Sequence, residues 1–445
     1  MHILNVDSYK TSHYLQYPPG TEYVSSYIEA RGGAESTLFF GLQMYIEKYL
    51  EHPITRKEID EAEEIILAHG LPFNRAGWEH ILKAHRGYLP LRIQAVAEGT
   101  HVPIGNVLVQ VQNTDPMVPW LTSYVETALL RAVWYPTTVA TRSWDCRRII
   151  KNFLEITADN TEVAFKLHDF GARGVSSKES AGIGGLAHLL AFQGTDTMEA
   201  IVYGRKYYDT KMAGFSIPAA EHSTITAWGR EFEASAYENM IDQFSKPGAV
   251  YAVVSDSYDL ETACRDLWGT KLKDKVISSG GTLVVRPDSG DPITSIRQTF
   301  RALFAKFGRR INSKGYYMLP DCVRIIQGDG VSPEAINDIL GSLMISGVSA
   351  ENIAFGMGGE LLQKVNRDTY QFAMKASAIS VDGEWRDVYK EAPGKKSKRG
   401  RLDLVEGMKT VRAGSGAPSL LRTVYEDGVL MNRQSLSTIR LKANS

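Results

Sequence analysis

Seven short stretches of this chain end in residues able to carry chemistry. They close on His168 and Asp169, Asp196, Glu221 and His222, Asp256, Arg286 and Asp288, Asp329, and Gly358 with Gly359. A brief apolar run leads into each: AFKLHDFG, LLAFQGTD, GFSIPAAEH, VYAVVSDS, GTLVVRPDSG, CVRIIQGDG and NIAFGMGG. The inventory is carboxylates, histidines, an arginine and glycine turns, with no GxSxG elbow, CxxC pair or HExxH pair. A glycine turn at a helix start exposes backbone N–H groups that suit a phosphate. Asp288 and Asp329 are acids of the kind that hold sugar hydroxyls, so GDG beside GMGG fits a sugar phosphate. Any one of these ends is also ordinary turn and capping chemistry. It is the convergence of seven that points to a site.

The elements that must position them follow from the spacing. Most of the runs are followed by a helix-like segment, as in HSTITAWGREFEASAYENMIDQF, YDLETACRDLWG and PITSIRQTFRALFAKFG. Strand, polar loop and helix in repetition predict parallel βα units, whose strands are buried on both faces and therefore continuously apolar. The count favours a barrel over an open sheet, with the loops after the strands sharing one face. The expected fold class is α/β: an irregular or incomplete βα barrel over 156–379, with a second, mixed α+β domain built from 1–155 and 380–445. In that second domain, RKEIDEAEEIILAHG (56–70) predicts a helix stopped by its glycine. PWLTSYVETALLRAVWYP (119–136) predicts a helix opened by Pro119, with Leu121, Tyr124, Val125, Ala128, Leu129 and Ala132 on one face. Residues 88–113, rich in short β-prone runs broken by Gly, Pro and Asn, predict a small antiparallel sheet.

Composition narrows the function classes. A chain of 445 residues with 43% hydrophobic and 23% charged residues is that of a folded globular protein with room for more than one domain. The net charge of -1 provides no basic field for nucleic acid or an anionic membrane. Cys146, Cys264 and Cys322 are odd in number and far apart, which argues against a disulfide framework and a zinc site built on them. The N-terminal residues lack a basic start followed by an apolar run, and no apolar stretch is long enough to span a bilayer. A cytoplasmic protein without nucleic-acid or membrane partners is expected. The run GKKSKRGRLDL (394–404) reads as a solvated basic loop.

Eight blocks taken together are more specific. DSYKTSHYLQYPPGTEYVSSYIEARGG, KLHDFGARGVSSKESAGIGG, GTDT, PAAEHSTITAWG, VVSDSYDL, VVRPDSGDP, IQGDGV and NIAFGMGGELLQKVNRD resemble, in order, the nicotinamide phosphoribosyltransferase family, one of the type II phosphoribosyltransferases. The resemblance implies an α/β barrel-like domain, a second domain and a homodimer with shared active sites. The implied reaction joins nicotinamide to phosphoribosyl pyrophosphate, giving nicotinamide mononucleotide and pyrophosphate, with magnesium and with ATP as co-substrate. The alternative is the sister reaction on nicotinate. By the same resemblance, Phe170 and Tyr9 of the partner subunit sandwich the base, and Asp196 accepts from the carboxamide while repelling a carboxylate. Arg286 reaches the amide oxygen or the ribose. Asp288 and Asp329 hold the ribose hydroxyls, and Gly328, Gly358 and Gly359 cradle the 5′-phosphate. Arg31, Arg173, Arg367 and Lys375 meet pyrophosphate or ATP phosphates, as does the basic run at 394–404. His222, beside Glu221, is the histidine that ATP phosphorylates, with Asp256 as its partner acid; no direct metal ligand is implied. Ala172 and Met357 stand where animal relatives carry tyrosine and serine, which leaves fine substrate preference open.

Overall fold

Six parallel strands carry the rim: β1 (Leu167–Asp169), β2 (Gly194–Thr195), β3 (Val250–Val254), β4 (Thr282–Arg286), β5 (Val323–Gln327) and β6 (Ile353–Met357). The computed structural model describes residues 3–392 and 395–445 of the chain. The sheet order is β2-β1-β6-β5-β4-β3. Parallel bridges from Gly194 to Phe215 and from Ala219 to Ala252 link its two edges through residues 215–219. That segment is the third of the seven apolar runs; it meets β2 and β3 at single bridges and forms no regular strand. The barrel is thus closed but irregular. Its strands are almost wholly buried, as in β3 and β4, because helices cover the outside and side chains fill part of the inside.

The covering helices are set by local chemistry. Asp291 caps Pro292–Phe307 by accepting from Thr294 N, and proline takes the first helical turn where its missing N–H costs nothing. Ser332 and Pro333 repeat the device for Pro333–Ile345. The long helix expected over 222–244 is instead three pieces, His222–Thr226, a short 3-10 turn at Arg230–Phe232, and Glu233–Phe244. Gly229 breaks it, with φ +84°, a conformation that side chains with a β-carbon rarely adopt. Tyr237 of the last piece stacks on Trp268 at 4.4 Å, and the indole N–H of Trp268 donates to Ser255 Oγ at 3.0 Å. That packing fixes the end of β3 from outside.

The chain divides into two units: Arg142–Gly204 with Lys211–Lys364, which holds the barrel, and Met1–Thr141 with Arg205–Thr210 and Val365–Ser445. The boundaries fall at 141/142 and 364/365 rather than at 155/156 and 379/380. The first lies inside the helix Glu126–Thr157. The second lies ahead of the strand Ala373–Val381, which pairs antiparallel with Thr21–Glu29 and so belongs with the N-terminal residues.

The second unit is built on a seven-stranded sheet rather than the small one expected. Leu91–Ala95 and Val107–Asn113 of the expected region pair with each other, and Val107–Asn113 then pairs with Thr21–Glu29. His101–Pro103 leaves this sheet to pair with Ser36–Leu38. The helix Arg56–Ala68 forms with Thr55 and Glu58 as a capping box, and Gly70 takes φ +90° just beyond it. The helix expected over 119–136 starts at Leu121, is interrupted at Val125, and then runs as Glu126–Thr157 straight through Pro136. Thr137 and Thr141 behind the proline accept the backbone N–H groups of Phe40 and Leu38, so packing holds what propensity opposes. Of its expected apolar face all are buried except Ala132, which is half-buried. Among the described residues no helix is long and apolar enough to cross a membrane.

Candidate functional site

The ends of β3 and β4 are joined by their own backbone. Ser255 N donates to Arg286 O at 2.9 Å, and Asp288 N donates to Asp256 Oδ2 at 2.8 Å. Ser289 Oγ adds a second donor to the same oxygen at 2.6 Å. Asp256 is thereby held rigid and is only 4% exposed. Its other oxygen, Oδ1, is buried and has no hydrogen-bond partner among the described residues, and neither has Arg286 Nε. Buried polar atoms are almost always paired, so two orphans on one rim mark places for a ligand or a proton.

His222 faces this pair. Its Nε2 lies 3.7 Å from Asp256 Oδ1 and 3.5 Å from Asp288 Oδ2, and its Nδ1 is 3.0 Å from Ser257 Oγ. The imidazole is 45% exposed, which leaves it open to a reactant. Two acids thus flank one ring nitrogen, and the serine orients the ring from the other side. Ser257 was missed by sequence reasoning; its place one residue after Asp256 was the available signal. Glu221 takes a different place: it is the N-cap residue of His222–Thr226, and its carboxylate accepts from Ser223 Oγ. That helix has five residues, so the field at its N-terminus is weaker than a long helix would give.

Phe170 forms the floor beside them. Its N–H donates to Met357 O at 3.0 Å, which draws the residue after β1 over the end of β6, and its ring lies against Gly356. A β-carbon on Gly328 would meet Asp288 Oδ1 at 3.4 Å, Phe170 Cε2 at 3.6 Å and Arg286 Cδ at 3.7 Å. Four of the expected site residues therefore converge on one bare stretch of backbone. Asp329, the next residue, is exposed. Gly358 lies 3.6 Å, by the same measure, from Phe170 O, while a β-carbon on Gly359 would meet nothing within 4 Å. Gly359 opens the single-turn helix Gly359–Leu362, and its neighbour across the rim is Gly174, one residue after the exposed Arg173.

Asp196 is exposed at the end of β2. Its carboxylate accepts from Ser216 Oγ, and its N–H donates to Asp169 O at 2.9 Å. Asp169 itself is buried; burial pushes its carboxyl up to about 6, opposed by donors from Gly171 N and Thr195 Oγ1. Burial also lowers His168, whose Nε2–H donates to Phe165 O at 3.0 Å. A cavity of about 440 Å³ lies inside the barrel, with His168, Ser216, Ile217, Val284, Ile326 and Ala354 in its wall. Sequence reasoning missed both Ser216 and the cavity, since small and medium residues at these strand positions look like ordinary core.

Tyr9, Arg31, Arg367 and Lys375 belong to the other unit. Tyr9 is 58% exposed on the 3-10 turn Ser8–Leu15. Arg31 N donates to Tyr370 O, and Lys375 pairs across the sheet with Tyr27. Arg367 is exposed and bonded to Asp368. The basic run adds Lys398, whose ammonium pairs with Glu29 and whose backbone N–H donates to the phenol oxygen of Tyr27, Oη, at 3.0 Å. Gly394 lies outside the described residues.

The model of the nicotinate phosphoribosyltransferase (NAPRTase) family matches residues 165–429, and that of the nicotinamide phosphoribosyltransferase N-terminal domain matches residues 2–93. The chain is 50% identical to a nicotinamide phosphoribosyltransferase of Xanthomonas campestris pv. campestris, covering 100% of this chain and 98% of that one. It is 30% identical to that of Acinetobacter baylyi, covering 98% and 95%. Among solved structures, a nicotinate-nucleotide pyrophosphorylase from Pyrococcus furiosus superposes with TM-score 0.63 at 15% identity, covering 99% of this chain and 93% of the other. Human nicotinic acid phosphoribosyltransferase gives 0.53 at 18%, covering 98% and 92%; these two establish the fold alone. The chain belongs to the nicotinate phosphoribosyltransferase family and carries the N-terminal domain of its nicotinamide phosphoribosyltransferases.

Proposed function

We propose that the chain transfers a phosphoribosyl group from phosphoribosyl pyrophosphate to nicotinamide, and that ATP stimulates the reaction through phosphorylation of His222. The observation that carries the reading is the meeting of Phe170, Arg286, Asp288 and Gly328 around one patch of bare backbone, on the rim whose β2 end carries Asp196. The bond from the anomeric carbon to pyrophosphate breaks, and the pyridine nitrogen supplies the electron pair for the new bond. Positive charge grows on the ribose as the pyrophosphate leaves, so Asp288 and Asp329 act where charge develops. Phe170 supports one face of the ring, with Tyr9 of the partner subunit on the other in a homodimer with shared sites. Gly328, Gly358 and Gly359 receive the 5′-phosphate, and Arg31, Arg173, Arg367 and Lys375 receive pyrophosphate or ATP.

Asp196 sets the base. An ionised carboxylate accepts from the carboxamide of nicotinamide and repels the carboxylate of nicotinate, and Ser216 holds it in place. The sister reaction on nicotinate is for that reason the second reading. For ATP, an imidazole nitrogen of His222 attacks the γ-phosphorus and ADP departs, with Asp256 and Asp288 beside the ring. Magnesium fits the hard oxygen donors here, since Asp256 Oδ1 is buried and accepts no hydrogen bond among the described residues. Asp256 and Asp288 would hold it, and when bound it screens the charge of phosphate groups. The purified protein should be given phosphoribosyl pyrophosphate and magnesium with either base, with and without ATP. The reading expects nicotinamide mononucleotide, made faster with ATP; a preference for nicotinate would transfer the chain to the second reading, and no product from either base would refute both.

A further inference from the structure

Outside the rim, one cluster of side chains has the make-up of a metal site. His80 lies on the helix Arg75–Ala84, His85 directly follows that helix, and Asp115 lies in the turn after the strand Val107–Asn113. His80 Nε2 is 2.7 Å and His85 Nε2 is 2.6 Å from the same oxygen, Asp115 Oδ2. The ligand atoms of all three residues lie within 4.8 Å of one another. The two imidazoles meet edge to face, with ring centroids 5.8 Å apart.

We propose that His80, His85 and Asp115 bind a first-row transition dication of the zinc type, clamping the helix to the turn. Two imidazole nitrogens and a carboxylate oxygen match the His₂-carboxylate donor set of three-ligand zinc sites, with a fourth position left for water. The side chains are 33%, 25% and 13% exposed, so the cluster is open enough to admit an ion and a water. Donors of this softness select zinc, cobalt, nickel or copper over magnesium, so the site is separate in kind from any metal of the transfer reaction.

The geometry needs little adjustment. Bonds of about 2.0 Å at tetrahedral angles separate ligand atoms by about 3.3 Å, so each imidazole must draw back from Asp115 by about 0.6 Å. Side chains that are partly exposed make such a movement by small χ rotations. Asp115 is held meanwhile by its other oxygen, Oδ1, which accepts from Met117 N at 2.8 Å, and by its carbonyl, which accepts from Asn113 Nδ2 at 2.8 Å. The competing account is a purely hydrogen-bonded trio in which both imidazoles carry their proton on Nε2 and share one acceptor oxygen. The two accounts differ in what happens when an ion is offered.

The test is titration of untagged, chelator-stripped full-length protein with zinc by calorimetry and with cobalt(II) by visible absorption, alongside His80→Gln/His85→Gln and Asp115→Asn. Glutamine retains a donor for Asp115, so the double variant keeps a hydrogen-bonded cluster and its metal-free melting temperature serves as the folding control. The proposal expects one equivalent of tightly bound zinc, the visible bands of low-coordinate cobalt, and a zinc-dependent rise in melting temperature. It expects affinity at least about tenfold weaker in each variant, with the melting rise lost in the double variant. No stoichiometric binding by the wild type would overturn it. Equal binding by the double variant would also overturn it, by placing the ion on other histidines or on Cys322.

Discussion

A β-carbon at position 356 would stand 1.9 Å from Phe170 Cε2 and 2.2 Å from its Cδ2. The ring of Phe170 therefore rests on the bare backbone of β6, and glycine is the residue that lets it lie there. Gly356→Ala keeps every functional group of the rim but forces the ring away. If Phe170 is the platform for the base, the variant loses at least about tenfold in kcat/KM for the base, chiefly through KM. The clash also destabilises the fold by about 1–3 kcal/mol, as overpacking does. Steady-state kinetics with base and phosphoribosyl pyrophosphate varied separately, plus a melting curve, check both. An unchanged KM for the base would remove Phe170 from the site.

His222 is bonded to Ser257 and faces Asp256 and Asp288. His222→Gln preserves a polar group for Ser257 but has no nucleophilic nitrogen. The expected outcome is transfer that no longer responds to ATP, with the rate in the absence of ATP within a few-fold of wild type. Acid-labile, base-stable label from γ-labelled ATP should appear on the wild type and be absent from the variant. Label retained on the variant would move phosphorylation elsewhere.

Glu98 offers a pH test in the sheet unit. It is fully buried, and burial pushes its carboxyl from 4.5 up to about 7, against donors from Gln43 N and Tyr208 OH, each at 2.8 Å. Between these two values the folded protein binds more protons at Glu98 than the unfolded chain does. Its contribution to stability is thus complete below 4.5 and is lost as pH rises through about 7. The slope it adds is at most about 1.4 kcal/mol per pH unit. Denaturant unfolding across that window should show stability falling with pH in the wild type and a flatter profile in Glu98→Gln. Parallel profiles would show that Glu98 titrates normally.

The barrel was legible because strands buried on both faces must be continuously apolar, and because the polar residues that end them are the ones that line the rim. His222, Asp256, Arg286 and Asp288 could be named from sequence for that reason; Gly328 came only with the family resemblance. Contacts across long separations were not legible. Thr21–Glu29 carries Ser25 and Ser26 in its middle and does not look like a core strand, yet its partner Ala373–Val381 lies at the far end of the chain and buries both serines. Ser216, which holds Asp196, and Ser257, which orients His222, are common residues whose roles exist only once the barrel brings their strands together. The broken helix after His222 was misread because its apolar spacing continues across Gly229, whose backbone conformation does not.

The claim on which most depends is that Asp196 chooses the base. The direct measurement is the ratio of the two mononucleotides formed from an equimolar mixture of nicotinamide and nicotinate, in wild type and in Asp196→Asn. The account expects nicotinamide mononucleotide to dominate in the wild type. It expects the ratio to shift toward nicotinate by about tenfold or more in the variant, since losing one repulsive charge in such a site is worth about 1.4 kcal/mol or more. A wild type that prefers nicotinate, or a ratio unmoved by the substitution, would contradict it.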